Sequence, residues 1–171
     1  MIRLGPEHGR LTVHTGRAGA IAKVGHDLDL EVTRWEATFA DDAVALTADP
    51  ASLRVEGGSG GVTPLGDDEK RGIAKTIRDE VLKDGTIAFT SSRVTPRDGG
   101  LDVEGELDLL GVRGPIAFGL ELDAGHLTGR ATVKQSAWRI TPYSTLFGTL
   151  KVADQVDVAI DATLPKESDD G

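Results

Sequence analysis

The chain has 171 residues, no cysteine and a formal net charge of −9 at pH 7. That length suits one domain that buries a core without staples, and the missing cysteines remove disulfides and thiolate metal sites while fitting a reducing compartment. The negative balance opposes a polyanion, which needs clustered Lys and Arg, so nucleic acid is not an expected partner.

The opening Met1-Ile2-Arg3-Leu4-Gly5-Pro6-Glu7-His8 holds no apolar run of signal-peptide length. Nothing later approaches the roughly 18 apolar residues of a membrane span. The expectation is a cytoplasmic chain without membrane insertion, monomeric or homodimeric. Residues 11–15, Leu-Thr-Val-His-Thr, alternate apolar and polar, the period of a strand with one buried face. Gly16 to Gly19 follow as an expected turn. Lys23 to Phe39 is the organising stretch: Leu28, Leu30 and Val32 alternate with Asp29 and Glu31, then Trp35, Ala37 and Phe39 with Glu36 and Thr38. Asp41 and Asp42 suit a hairpin turn, after which Val44, Leu46 and Ala48 share a face. Pro50 marks a bend or an edge, and Leu53 and Val55 continue the apolar face beyond it.

Gly57-Gly58-Ser59-Gly60-Gly61 reads as a mobile loop. The period then changes: Ile73, Ile77 and Val81 are four apart among charged residues, which predicts one amphipathic helix over 67–83. Asp67 or Asp68 caps its start, Gly85 ends it, and its apolar stripe packs against a barrel end as a plug or lid. Strand period returns over 86–91, 101–109, 116–122, 127–133 and 156–162, with Asp98-Gly99-Gly100 and Ala124-Gly125 where hairpin turns belong. The pattern predicts a mainly all-β protein, an antiparallel up-and-down barrel of about eight strands or a tight sandwich. Residues 1–165 form its single domain, and the charged tail 166–171 is expected to be disordered.

Aromatic residues are 4% of the chain and glycines number 22. On the apolar faces Ala37, Ala48, Gly105, Gly129 and Ala131 mix with Phe39, Leu46, Phe89, Val103, Leu107, Phe118, Leu120 and Val133. A barrel of about eight strands is just wide enough to fill itself or to hold one small ligand. Small inward residues favour a hollow. They also suit bends over which larger neighbours lean, leaving a filled interior, and composition leaves both open.

Gly105 to Pro115, Gly-Glu-Leu-Asp-Leu-Leu-Gly-Val-Arg-Gly-Pro, resembles the strand-turn-strand pattern Gly-x-Leu-Thr-Leu-x-Gly-Val-x-x-Pro of the YceI-like family of lipid-binding proteins. Lys23 to Val32, Arg78 to Ser91 and Gly148 to Ala162 add weaker similarities in the same order along the chain. The resemblance implies a lipocalin-like barrel with a long apolar channel for a polyisoprenoid or fatty-acid-like chain. It implies no catalytic residue, cofactor or metal. The expected lining is Leu28, Leu30, Val32, Phe39, Leu46, Phe89, Val103, Leu107, Phe118, Leu120, Ala131 and Trp138, with Ile77 and Val81 from the helix. Many members carry a signal peptide, which this start does not resemble, and Ser136 to Gly148 departs from the family's Arg-x-Asp-Phe-Gly.

Two constellations invite a catalytic reading. The glycine run around Ser59 fits Gly-x-Ser-x-Gly, but a nucleophile elbow needs its serine on a strained turn between a buried strand and a helix, and Val62-Thr63-Pro64 follows instead. His26-Asp27 pairs an imidazole with a carboxylate, the makings of an acid/base or a metal ligand. Neighbours on a strand point to opposite faces, so the two do not converge on one ion, and His8, His14 and His126 show no ligand spacing. A hydrogen-bonded His26 at the rim is the expectation, with Trp35 and Trp138 more often packing than clamping. Three functions follow: a non-enzymatic carrier or store for a lipid-like ligand, which the pattern favours; an enzyme on an apolar substrate using His26; and a filled barrel serving as an interaction module.

Overall fold

Residues 27–39 and 44–59 form the spine of the molecule. The computed structural model describes residues 2–18, 27–40, 42–59, 70–72, 75, 79, 85–140, 144–145 and 150–165. In it β3 (Asp27–Val32) and β4 (Trp35–Phe39) run in line, and β5 (Val44–Ala48) and β6 (Leu53–Ser59) return beside them. Phe39 pairs with Val44 and Trp35 with Ala48; further along, Val32 pairs with Leu53 and Asp27 with Ser59. The four strands are therefore one long hairpin with an interruption midway.

At the interruption Thr33 and Arg34 face Asp49 and a 3-10 turn, Pro50–Ser52. Three hydrogen bonds carry the pairing across it: Asp49 N–H to the Arg34 carbonyl at 3.0 Å, Thr33 N–H to the Ser52 carbonyl at 3.2 Å, and Arg34 N–H to the Ser52 hydroxyl at 2.9 Å. Pro50 suits the first position of that turn, where its fixed φ fits and a missing N–H costs nothing. The organising stretch is thus two strands rather than one. Its break absorbs the odd three-residue step from Val32 to Trp35, so Leu30 and Val32 before it and Trp35, Ala37 and Phe39 after it are all buried.

On one side of this hairpin β1 (Ile2–Leu4) pairs with β4, and β2 (Gly9–Ala18) with β3. On the other, β5 pairs with β7 (Ile87–Arg97), which is followed by β8 (Gly100–Leu109), β9 (Val112–Asp123), β10 (His126–Lys134) and β12 (Leu150–Thr163), each antiparallel to the next. β12 pairs in turn with β2, and the short β11 (Ser144–Thr145) lies against β12. The hydrogen-bonded path thus begins on the β4–β5 half of the hairpin and ends on its β3–β6 half. Among the described residues, taking β1 with β2, β3 with β4 and β5 with β6, the curled sheet is an up-and-down barrel of eight antiparallel strands. Between β6 and β7 no ladder runs among the described residues.

Ladder pairing overrides several local signals. Arg17 and Ala18, in the expected turn at 16–19, extend β2 opposite Val152 and Lys151. Gly57, Gly58 and Ser59, expected as a loop, extend β6 opposite Asp29, Leu28 and Asp27. Pairing with a neighbour outweighs glycine's weak preference for strands. The register slip there leaves Glu56 as the extra, bulged residue, which bends the strand. Of the expected helix, residues 70–72 and 75 are helical, and Lys75 meets Asp79 at 2.7 Å. Ile73, Ile77, Val81, Asp67 and Asp68 lie outside the described residues, as do His26, Gly60, Gly61 and the tail 166–171.

The two ends of the barrel differ. One carries the hairpin turns after β4, β7 and β9 and the junction where Thr163 N–H meets the His8 carbonyl at 2.9 Å. Leu4, Val103, Leu120 and Leu127, each at most 2% exposed, fill the interior there. The other end carries the turn at 110–111 and the 3-10 turn Gln135–Trp138 that follows β10. The outer faces are charged. Arg97 bridges Glu121 and Asp102 across β7, β8 and β9, holding the Glu121 carboxyl below the usual carboxylate range, and Arg10 meets Glu31 across β2 and β3. Exposed pairs of this kind add little stability each.

Candidate binding cavity

Beyond the leucine-filled end the interior is open. A cavity of about 270 Å³ lies inside the barrel. Its wall takes Leu11, Val13 and Thr15 from β2; Leu30 and Val32 from β3; Phe39, Val44, Leu46 and Ala48 from the β4–β5 hairpin; and Pro50 and Leu53 from the corner beyond. Ile87 and Phe89, Leu107 and Leu109, and Ile116, Phe118 and Leu120 come from β7, β8 and β9, and Gly129, Ala131, Val133, Val156, Val158 and Ile160 from β10 and β12. Gln135 and Ile140 complete it. These positions hold the inward phase of the alternation. Val13, Leu46, Phe118, Ala131 and Val158 keep part of their surface exposed although they point inward, because they face open space rather than a neighbour.

Both readings of the small residues are realised, at different positions. A Cβ on Gly105 would lie 2.6 Å from the Phe89 ring, and one on Gly129 would lie 2.5 Å from a Leu120 methyl, so a larger neighbour leans over each glycine. Phe89 also packs against Phe118, centroids 5.1 Å apart and tilted by 59°. Ala48 and Ala131 are wall residues where the missing side-chain volume stays open. At about 24 cal/mol per Å³, a hollow of about 270 Å³ forgoes packing on the order of 6 kcal/mol, a sizeable share of a domain's stability.

Of the residues expected in the wall, Leu30, Val32, Phe39, Leu46, Phe89, Leu107, Phe118, Leu120 and Ala131 stand in it. Leu28 is placed on β3 opposite Thr15 by its backbone, and its side chain lies outside the described residues. Val103 and Trp138 are buried away from the wall. Val103 belongs to the filled end. The Trp138 indole covers Gly114, 3.1 Å from where a Cβ would be, and donates its N–H to the Leu107 carbonyl at 2.9 Å. The motif Gly105 to Pro115 now has a physical basis: Gly105 makes room for Phe89, Gly114 for Trp138, and Leu110 and Gly111 form a two-residue turn with φ of 56° and 87°. Glycine adopts such a φ without strain, and the turn's twist matches the flanking strands.

Thr15 and Gln135 were not expected in the wall. They are its buried polar side chains among the described residues. Arg130 borders the cavity on the outward phase between Gly129 and Ala131 and is exposed. Thr15 stands opposite Val156 and Val156 opposite Val133, two residues before Gln135, so both polar groups lie toward the end away from the leucines. Gln135 opens the 3-10 turn Gln135–Trp138. That turn is pinned to β12, where the Ser136 N–H and hydroxyl donate to Asp154 at 2.8 and 2.5 Å, and to β8 through Trp138. The bonds from Ser136 hold the Asp154 carboxyl below its usual range. Gln135 follows a strand and carries no periodic signal; Thr15 was legible as an inward residue of its strand.

Among the described residues no group of three or more His, Asp or Glu side chains is placed to share a metal ion. His14 with Asp29 at 2.5 Å and His126 with Asp161 at 2.7 Å are exposed pairs on the outer face. The chemistry such a cavity offers is the removal of an apolar surface from water.

The sequence model of the YceI-like domain matches residues 3–164. No functionally curated protein matches the chain. Among solved structures, BcnA of Burkholderia cenocepacia is similar in fold, with a TM-score of 0.65 and 16% identity over 90% of this chain and 94% of that one. A domain match over nearly the whole chain, on a curled antiparallel barrel, shows that the chain belongs to the YceI-like family.

Proposed function

We propose that the protein binds an apolar lipid-like molecule, a polyisoprenoid or fatty-acid-like chain, inside the barrel and carries or stores it without catalysing a reaction on it. The observation that carries this reading is a hollow interior walled by aliphatic and aromatic side chains, with Thr15 and Gln135 as its buried polar groups. Removing apolar surface from water contributes roughly 25 cal/mol per Å², so a buried hydrocarbon supplies affinity with no charged anchor. No His, Asp, Glu or Lys side chain among the described residues belongs to the wall, and His26 lies outside the described residues.

The test is extraction of freshly purified native protein with organic solvent, followed by mass spectrometry. One lipid per chain is expected, and the stripped protein takes up an added fluorescent fatty acid or prenol. A clean extract from protein that also refuses the added ligands contradicts the proposal.

A further inference from the structure

One seam of the barrel is joined over only part of its length. β9 and β10 pair from Asp123 with His126 to Gly119 with Arg130, and there the ladder stops. Both strands run on: β10 stays paired with β12 as far as Lys134, and β9 with β8 as far as Val112. Continued register would set Phe118 opposite Ala131, Ala117 opposite Thr132, Ile116 opposite Val133 and Pro115 opposite Lys134, and among the described residues none of these pairs forms. Pro115 has no N–H to donate and suits such an edge.

The gap is a window framed by described residues. Gly119 and Arg130, the last ladder pair, close it towards the leucine-filled end. Towards the other end the turn Gln135–Trp138 crosses from β10 to β9, where the Trp138 indole lies over Gly114. The unpaired positions at about 3.3 Å each make it on the order of 13 Å long. Pro115, Ala117, Thr132 and Lys134 are exposed on its outer rim, and Ile116, Phe118, Ala131 and Val133 belong to the cavity wall behind it. Arg130 is a second, separate sign of an opening. It is exposed on the outward phase yet borders the cavity, as a residue does at the corner of a hole through the wall.

Resting on the binding role proposed above, we propose that this window is the port through which the ligand's hydrocarbon tail enters and leaves, sideways between β9 and β10 rather than along the barrel axis. Leu4, Val103, Leu120 and Leu127 close the filled end to such a tail. Where a ladder is intact, neighbouring strands lie about 4.8 Å apart and leave no passage. At the window a flexible acyl or prenyl chain meets Phe118 and Ile116 on one side and Ala131 and Val133 on the other, so it leaves water as it enters, methylene by methylene.

The chain has no cysteine, so thiols can be placed in pairs without interference. In full-length Ala117→Cys/Thr132→Cys, at two exposed positions that face each other over the gap, a short bis-methanethiosulfonate reagent bridges the window and dithiothreitol reopens it. Thr90→Cys/Glu106→Cys places the same bridge across the intact β7–β8 ladder as a control. Uptake of the fluorescent fatty acid cis-parinaric acid by delipidated protein, and its release to excess albumin, are followed by stopped flow. Bridging the window is expected to slow both rates at least about tenfold with affinity and melting temperature unchanged, and the control bridge is expected to change neither rate. Hydrogen exchange of the unmodified protein needs no variant: gap-facing amides of 116–118 and 131–134 are expected to exchange faster than those paired over 119–123 and 126–130. Unchanged rates in the bridged protein, or equal protection along the whole seam, overturn this inference and leave the binding role standing. Failure of delipidated wild-type protein to bind either cis-parinaric acid or a prenol overturns the binding role itself.

Discussion

At the end of the barrel that carries the turns after β7 and β9, inward positions hold Leu4, Val103, Leu120 and Leu127 with no room left between them. Towards the other end the same inward phase holds Ala48, Ala131, Thr15 and Gln135 around open space. One alternation of apolar and polar residues therefore builds a packed plug and a hollow within a single sheet. Small residues do not decide the difference by themselves. Gly129 and Ala131 both stand in the cavity wall, yet Leu120 from the neighbouring strand leans over Gly129, so a side chain there would strike it first. Filling is a property of cross-strand neighbours, and hollows open where no neighbour leans in.

The largest expected effect of breaking this contrast comes from the plug. Leu127→Ala removes a fully buried side chain and is expected to cost about 2–5 kcal/mol in urea unfolding, as large-to-small core changes do. A cost below about 1 kcal/mol would show that this end is loosely packed. Next comes Gly105→Ala, whose new Cβ meets the Phe89 ring at 2.6 Å and crowds the Thr90 carbonyl still more closely. Overpacking there is expected to cost about 1–3 kcal/mol. Ala131→Phe sharpens the comparison from the opposite side, because its ring has space to enter. Stability is expected to change by less than about 1 kcal/mol while uptake of the lipid falls at least about tenfold. The same change at Gly129 strikes Leu120 first and loses stability before it reports on uptake.

The alternation made most inward positions legible, Leu30, Phe89, Leu107 and Phe118 among them, and with them the curled sheet. Three things were not legible. The break at Thr33–Arg34 is set by hydrogen bonds to Asp49 and Ser52, a partner segment that a reading of one strand does not contain. Gly57 to Ser59 look like a loop because glycine has no side chain to declare a face, yet pairing with β3 holds them extended. Gln135 reaches the wall because a 3-10 turn tethered to Asp154 and Leu107 places it there, and those tethers come from strands remote in sequence. Resemblance to the YceI-like family pointed to the hollow interior where composition was balanced between hollow and filled.

The smallest expected effect is acid sensitivity. The Asp154 carboxyl is held low by hydrogen bonds from Ser136, and the Glu121 carboxyl by Arg97. A carboxylate whose folded pKa lies below its unfolded value stabilises fully above that unfolded value and loses the contribution as pH falls through the folded one. The melting temperature is therefore expected to be level from neutral pH to about 5 and to decline below about 4. Asp154→Asn should shallow that decline slightly, and a melting temperature that rises on acidification contradicts the assignment.

A crystal structure of protein purified without detergent and without added lipid tests the central claim most directly. The account predicts continuous tubular density inside the barrel between Phe118 and Ala131, ending against Leu120 and Leu127. Side chains from opposite walls meeting across the middle, with no space for a hydrocarbon chain, would contradict it.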